Sequence, residues 1–144
     1  AGSALTMSGN MPVFRKEGKS AIPELMATSE ARLKTGTVVA FAEGTRSKTG
    51  AMQPFKQGYI RFALEQNSPV VPIFVANSLE GWPSWTNKMG NAHVIVVLGD
   101  VIECPKIGVE GQPTKEEIED FIEVVEGKVK GLAKLYAFFE FLDF

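Results

Sequence analysis

From residue 19 to residue 35 the apolar positions recur at helical spacing. Ile22, Leu25, Met26 and Leu33 share one side with Ser29. Ser20 is placed to cap the start, Pro23 falls in the first turn where proline is tolerated, and Gly36 stands just past the end. The pattern then changes. Residues 37–41 (TVVAF) form a β-branched and apolar run between Gly36 and Gly44, which predicts a buried strand. A polar stretch follows over 42–56. Residues 57–66 return to helical spacing, with Ile60, Ala63 and Leu64 on one side. Residues 69–76 (PVVPIFVA) predict a second buried strand, made irregular or edge-like by Pro72, which has no N–H to give to a ladder. A loop over 77–90 holds Trp82 and Trp85, and 92–98 (AHVIVVL) predicts a third strand, continued at Val101 and Ile102. After a second loop, Thr114 opens the longest helix with the capping-box pattern Thr114-x-x-Glu117. Ile118, Phe121, Ile122, Val125, Val129 and Leu132 then make one apolar stripe.

Buried strands alternating with helices predict an α/β fold: a mostly parallel sheet flanked by helices, in a single domain over 1–144. Ligands of such sheets sit in loops at the carboxyl ends of strands, and the loop after Phe41 is one of these.

Composition narrows the function. The 144 residues are 44% hydrophobic, enough for one domain with a core. A net charge of −2 argues against a general nucleic-acid binder, so no nucleic-acid partner is expected. Cys104 is the single cysteine, which excludes an intrachain disulfide and a cysteine metal cluster. Asp100 and Glu103 have no histidine partner, and the acids Glu116, Glu117, Glu119 and Asp120 are accounted for by the helix dipole, so no metal site is expected. The opening AGSALTMSGN has no basic stretch before an apolar run and does not read as a secretory signal. No apolar run reaches the roughly 18 residues of a spanning helix. Membrane contact by this chain is therefore expected to be peripheral.

The loop over 42–56 concentrates the chemistry. It holds Glu43, Arg46, Lys48 and Lys56, with Gly44, Gly50 and Gly58 among and just after them. Arg46 offers a planar fork that grips phosphate oxygens in pairs, and Lys56 offers a point charge. Gly44 permits a tight turn or a close backbone approach. Thr45 and Ser47 add hydroxyls. Glu43 has two roles open to it: orienting Arg46, or accepting a hydrogen bond from a substrate hydroxyl. A solvated surface loop carries similar charges, so composition alone leaves both readings standing.

The full string is more specific. A strand, then FAEGTRS and PFKQG (residues 41–47 and 54–58), then a helix and PVVPI, resembles the lysophospholipid and 1-acyl-glycerol-3-phosphate acyltransferase family, within the glycerol-phosphate acyltransferase superfamily. EGTR resembles its third block, Val71-Pro72-Ile73 its fourth, and Met11-Pro12-Val13-Phe14-Arg15 its second. The family often has Pro where this chain has Ala42. The resemblance implies transfer of an acyl group from acyl-CoA or acyl-carrier protein, as co-substrates and with no cofactor, to a hydroxyl of a lysophospholipid or glycerol phosphate. It further implies that Glu43, Gly44, Thr45 and Arg46 bind the acceptor, with Arg15 and Lys56 as further phosphate contacts. It places such a protein at a membrane, on the cytoplasmic face.

The family's first block is a His with an Asp five positions later, the His acting as general base. A base of that kind contributes about 10²–10⁴-fold. The only histidine here is His93, which lies after EGTR and is followed at that spacing by Leu98. It reads as a packed or edge histidine, and no catalytic residue is expected in this chain. Two accounts fit: the chain is incomplete at its amino end, or the protein has kept lipid or phosphate binding without catalysis. An unrelated α/β domain with a solvated EGTR loop is a third reading. Trp82 and Trp85 are expected to pack on their own domain rather than on lipid. The aromatic tail over 135–144 fits a bilayer or absent sequence as well as it fits the sheet.

Overall fold

The computed structural model describes residues 22–107 and 112–141. Contacts group the chain into two compact units, Ala1–Ala40 and Phe41–Phe144. In the first, α1 spans Ile22–Leu33, with Pro23 in its opening turn. The helix closes with a turn in which the Thr35 N–H donates to the Arg32 carbonyl at 3.1 Å. Gly36 is not in the left-handed region, so no glycine cap forms. The capping role given to Ser20 lies outside the described residues.

The second unit contains α2 (Gln57–Glu65), β1 (Ile73–Ala76), the short α3 (Ser78–Gly81), β2 (Ile95–Leu98) and the 27-residue α4 (Lys115–Phe141). Both longer helices follow from local signals. At the start of α4 the Thr114 N–H donates to Glu117 Oε2 at 2.7 Å, and the Glu117 N–H donates to Thr114 Oγ1 at 3.2 Å. That is the reciprocal capping box the spacing predicts. At the end of α2, Asn67 adopts φ 46°, its N–H donating to Leu64 O and that of Ser68 to Ala63 O. This left-handed cap satisfies carbonyls the helix leaves open. Ile60 and Leu64 of α2 meet Ile118, Phe121 and Val125 of α4 in the core. Phe55, Val70, Ile102, Cys104 and Ile122 pack around them.

The sheet departs from expectation. Among the described residues it is two-stranded and antiparallel, with Ile73 opposite Leu98 and Ala76 opposite Ile95. A parallel pair needs a crossover of about a dozen residues or more, usually a helix that packs back on the sheet. The link from β1 to β2 carries only the single turn of α3, so the chain doubles back. Residues 37–41 form no strand; they run without a ladder partner, with Val39 71% and Phe41 82% exposed.

The irregularity expected at Pro72 is present. Beyond the strands, Val70 and Ile102 bridge again, but Val71 and Pro72 face three residues, 99–101, on the other side. The extra residue is a bulge, and Pro72 takes part only through its carbonyl, which accepts from the Gly99 N–H at 2.9 Å. The bulge is tight at Gly99: a Cβ there would lie 2.9 Å from Pro72 Cγ and 3.2 Å from Leu132 Cδ1, so these side chains would have to shift. Gly99→Ala is therefore expected to destabilise the protein by about 1–3 kcal/mol through overpacking. Urea denaturation checks this, and an unchanged midpoint would mean α4 does not press on the bulge.

Candidate functional site

Residues 42–56 begin as a turn and return to their own start. The Gly44 N–H donates to Phe41 O at 2.9 Å, and the Lys56 N–H donates to Ala42 O at 2.7 Å. Gly44 sits at φ +69°, a conformation other residues take only with strain. A Cβ there would meet Lys56 Cγ at 3.4 Å, so the lysine stem lies against the EGTR turn. Glu43 fastens the inside of the loop: its Oε2 accepts from the Gln53 N–H at 3.0 Å. Of the two roles open to Glu43 from sequence, orienting Arg46 is not seen; among the described residues the ion pairs are i,i+4 pairs on helices. Its other carboxylate oxygen has no partner among the described residues. Ser47 Oγ accepts from the Thr49 N–H in a local turn, and Thr45 is exposed.

Arg46 reaches across to the loop after α3. Its Nη1 donates to Pro83 O at 3.2 Å and, more weakly, to Trp82 O at 3.5 Å. Its Cζ lies 5.0 Å from the centre of the Trp82 ring. Nε and Nη2, the two-donor edge that matches phosphate, have no partner among the described residues. Lys56 is the residue before α2 and does not cap it with its side chain, and the first turn of α2 holds no acid. Lys56, Gln57 and Gly58 at that helix start are exposed, with the positive end of the helix beside the lysine charge. Structure thus brings Glu43, Gly44, Thr45, Arg46 and Lys56 onto one closed loop. Arg15 lies outside the described residues.

Sequence reasoning missed Glu126. From one turn beyond Ile122 its Oε1 accepts from the Phe55 N–H at 2.8 Å, and its Oε2 pairs with Lys130 at 3.1 Å. The Phe55 bond, foremost, holds the Glu126 carboxyl below its ordinary value of 4.5; burial opposes this and Lys130 adds to it. A depressed acid stabilises the fold above its unfolded pKa and ceases to do so as pH falls through the folded one. Glu126→Gln is thus expected to cost about 1 kcal/mol at neutral pH. The difference from the parent should close on acidification below about pH 4. Paired thermal melts across pH check this; a gap that widens in acid would contradict it.

The remaining candidates separate from the loop. His93 is exposed rather than packed, and its carbonyl accepts from Asn77 Nδ2 at 3.1 Å. With Tyr136, Ile95, Val97, Leu135 and Phe139 it lines a groove of about 530 Å³ between β2 and the far end of α4. The Cys104 thiol donates to Ser68 O at 2.9 Å; burial, with help from Glu103, raises its pKa and keeps it protonated. Trp82 is 47% and Trp85 70% exposed, so neither is buried in the domain, although the Trp82 ring lies beside Arg46. In the tail Tyr136 packs on Phe74 of β1, while Phe138, Phe139 and Phe141 stay exposed. Among the described residues no helix is long and apolar enough to cross a membrane, and no group of three metal-binding side chains gathers.

Comparison with known proteins gives this loop a setting. The family model described as acyltransferase matches residues 1–76, from before Arg15 through the EGTR loop to the last residue of β1. A 1-acyl-sn-glycerol-3-phosphate acyltransferase of Cocos nucifera is 32% identical over 96 residues, which is 66% of this chain and 31% of that protein. The human 1-acyl-sn-glycerol-3-phosphate acyltransferase alpha is 33% identical over 78 residues, 54% of this chain and 28% of the relative. The crystal structure of the 1-acyl-sn-glycerophosphate acyltransferase PlsC from Thermotoga maritima superposes with a TM-score of 0.58 at 26% identity. It covers 81% of this chain and 44% of that one. The chain spans about a third of the length of these two curated relatives.

Proposed function

The chain belongs to the acyltransferase family, and from that premise we propose that residues 42–56 hold the phosphate of an acyl acceptor, a lysophospholipid or glycerol phosphate. The observation that carries this is the open two-donor edge of Arg46 beside a left-handed Gly44 and the stem of Lys56. Arg46 grips two phosphate oxygens, Lys56 adds charge, and the exposed backbone and hydroxyl at Gly44 and Thr45 complete the contact. Arg15 is the proposed second arginine. The Glu43 oxygen that has no partner among the described residues orients an acceptor hydroxyl.

The protein bearing this chain then catalyses acyl transfer in glycerophospholipid synthesis. An acceptor hydroxyl attacks the carbonyl of an acyl thioester, from acyl-CoA or acyl-carrier protein. A C–O bond forms, the C–S bond breaks, and the hydroxyl proton passes to a general base and on to the leaving thiolate. His93 is not that base: it lies on the far side of β1 in sequence and lacks an Asp at the family spacing. The base is proposed to come from outside this sequence. We further propose that the protein works at a membrane surface, on its cytoplasmic side, where a lysophospholipid acceptor would reside.

The test is acyl transfer from a radiolabelled acyl-CoA to 1-acyl-glycerol 3-phosphate by the protein that bears this chain. Formation of the diacyl product supports the reading. Binding of glycerol 3-phosphate without any product would instead identify a binding module of the same fold.

A further inference from the structure

We infer that Trp82 is a positioning residue: its ring and the carbonyls of the Trp82–Pro83 turn aim the Arg46 fork at the acceptor phosphate. This rests on the phosphate reading of Arg46 and goes beyond it. A free arginine side chain samples many rotamers, and fixing it on binding costs conformational entropy. Here much of that freedom is already removed. Nη1 is held by two carbonyls at 3.2 and 3.5 Å, and the indole lies 5.0 Å from Cζ. Together the contacts engage Nη1 and set the ring beside the guanidinium, and the Nε and Nη2 edge has no partner among the described residues. The preference of cations for an indole face exceeds that for other rings.

The support is itself anchored. Asn77, at φ 59°, stands between β1 and α3 as the residue before the helix. Its Nδ2 donates to His93 O at 3.1 Å and to Tyr136 Oη at 3.2 Å, tying the turn to the approach to β2 and to α4. The Trp82 N–H donates to Ser78 O at 3.0 Å, and the Gly90 N–H to Gly81 O at 2.8 Å. The Trp82 carbonyl is therefore presented from a pinned turn rather than a loose loop.

Four proteins test this by titration calorimetry with glycerol 3-phosphate: the parent, Trp82→Leu, Trp82→Phe and Arg46→Ala, followed by the Trp82→Leu/Arg46→Ala double variant. Leu keeps the backbone carbonyl and an apolar side chain but loses the ring; Phe keeps a ring. Trp82→Leu is expected to weaken binding about three- to tenfold. Trp82→Phe should recover most of that loss. In the Arg46→Ala background the Trp82 substitution should have no further effect. A Trp82→Leu protein that binds like the parent while Arg46→Ala binds weakly overturns the positioning role and leaves the phosphate reading standing. The same role falls if the Trp82 effect persists in full without Arg46. An Arg46→Ala protein that binds like the parent overturns both. Thermal melts of each variant separate loss of binding from loss of fold: Trp82 is half exposed, so its variants should melt close to the parent.

Discussion

Arg46→Ala is expected to weaken glycerol 3-phosphate binding by roughly 30- to 1000-fold, the equivalent of about 2–4 kcal/mol. The estimate follows from geometry. Two charge-assisted bonds from one rigid edge are lost together, and neither Lys56 nor the EGTR backbone can reproduce a planar fork. In the acyl-transfer assay of the protein that bears this chain, the same change should appear in the acceptor KM at saturating thioester. Arg46→Lys should recover only part of the loss, since it restores charge without the paired donors. Folding should be little affected, because Arg46 is exposed and its polar and ring contacts among the described residues are two carbonyls and one indole. Unchanged affinity in Arg46→Ala would remove the phosphate role of this loop.

Phe121→Ala should have the largest effect on stability, about 3–5 kcal/mol. Phe121 is 3% exposed and belongs to the cluster in which α4 meets Ile60 and Leu64 of α2. Domains of this size are stable by only about 5–15 kcal/mol, so the loss would remove a large share. It would also reach the site. Phe55 packs on this cluster and precedes Lys56, so a collapsed cavity beside it loosens the loop where it returns to the EGTR turn. Chemical denaturation measures the first effect, and a loss under about 1 kcal/mol would mean that Phe121 is not a core residue.

What could be read from sequence follows the range of the interactions involved. α2 and α4 were legible because their signals are local. The capping box at Thr114 and Glu117 and the stripe from Ile118 to Leu132 lie within one element, and the same residues cap and bury it. The strands were legible as segments but not as a sheet. An apolar run does not say which way its partner lies, and AHVIVVL proved half-buried, with Val96 and Leu98 54% and 65% exposed. The EGTR loop was legible by residue type and by likeness. Its supports were not: Trp82 meets Arg46 across 36 positions, and Glu126 meets Phe55 across 71. Each of these looks ordinary in its own neighbourhood, a loop tryptophan and a helix acid.

The most direct test of the phosphate site maps where the ligand sits. Amide chemical shifts of the isotopically labelled chain would be followed while glycerol 3-phosphate is added, with glycerol as the control. Saturable shifts at Gly44, Thr45 and Arg46 and at the first turn of α2, absent with glycerol, are the predicted result. Shifts confined to the groove between β2 and α4, or none that distinguish the phosphate from glycerol, would contradict it.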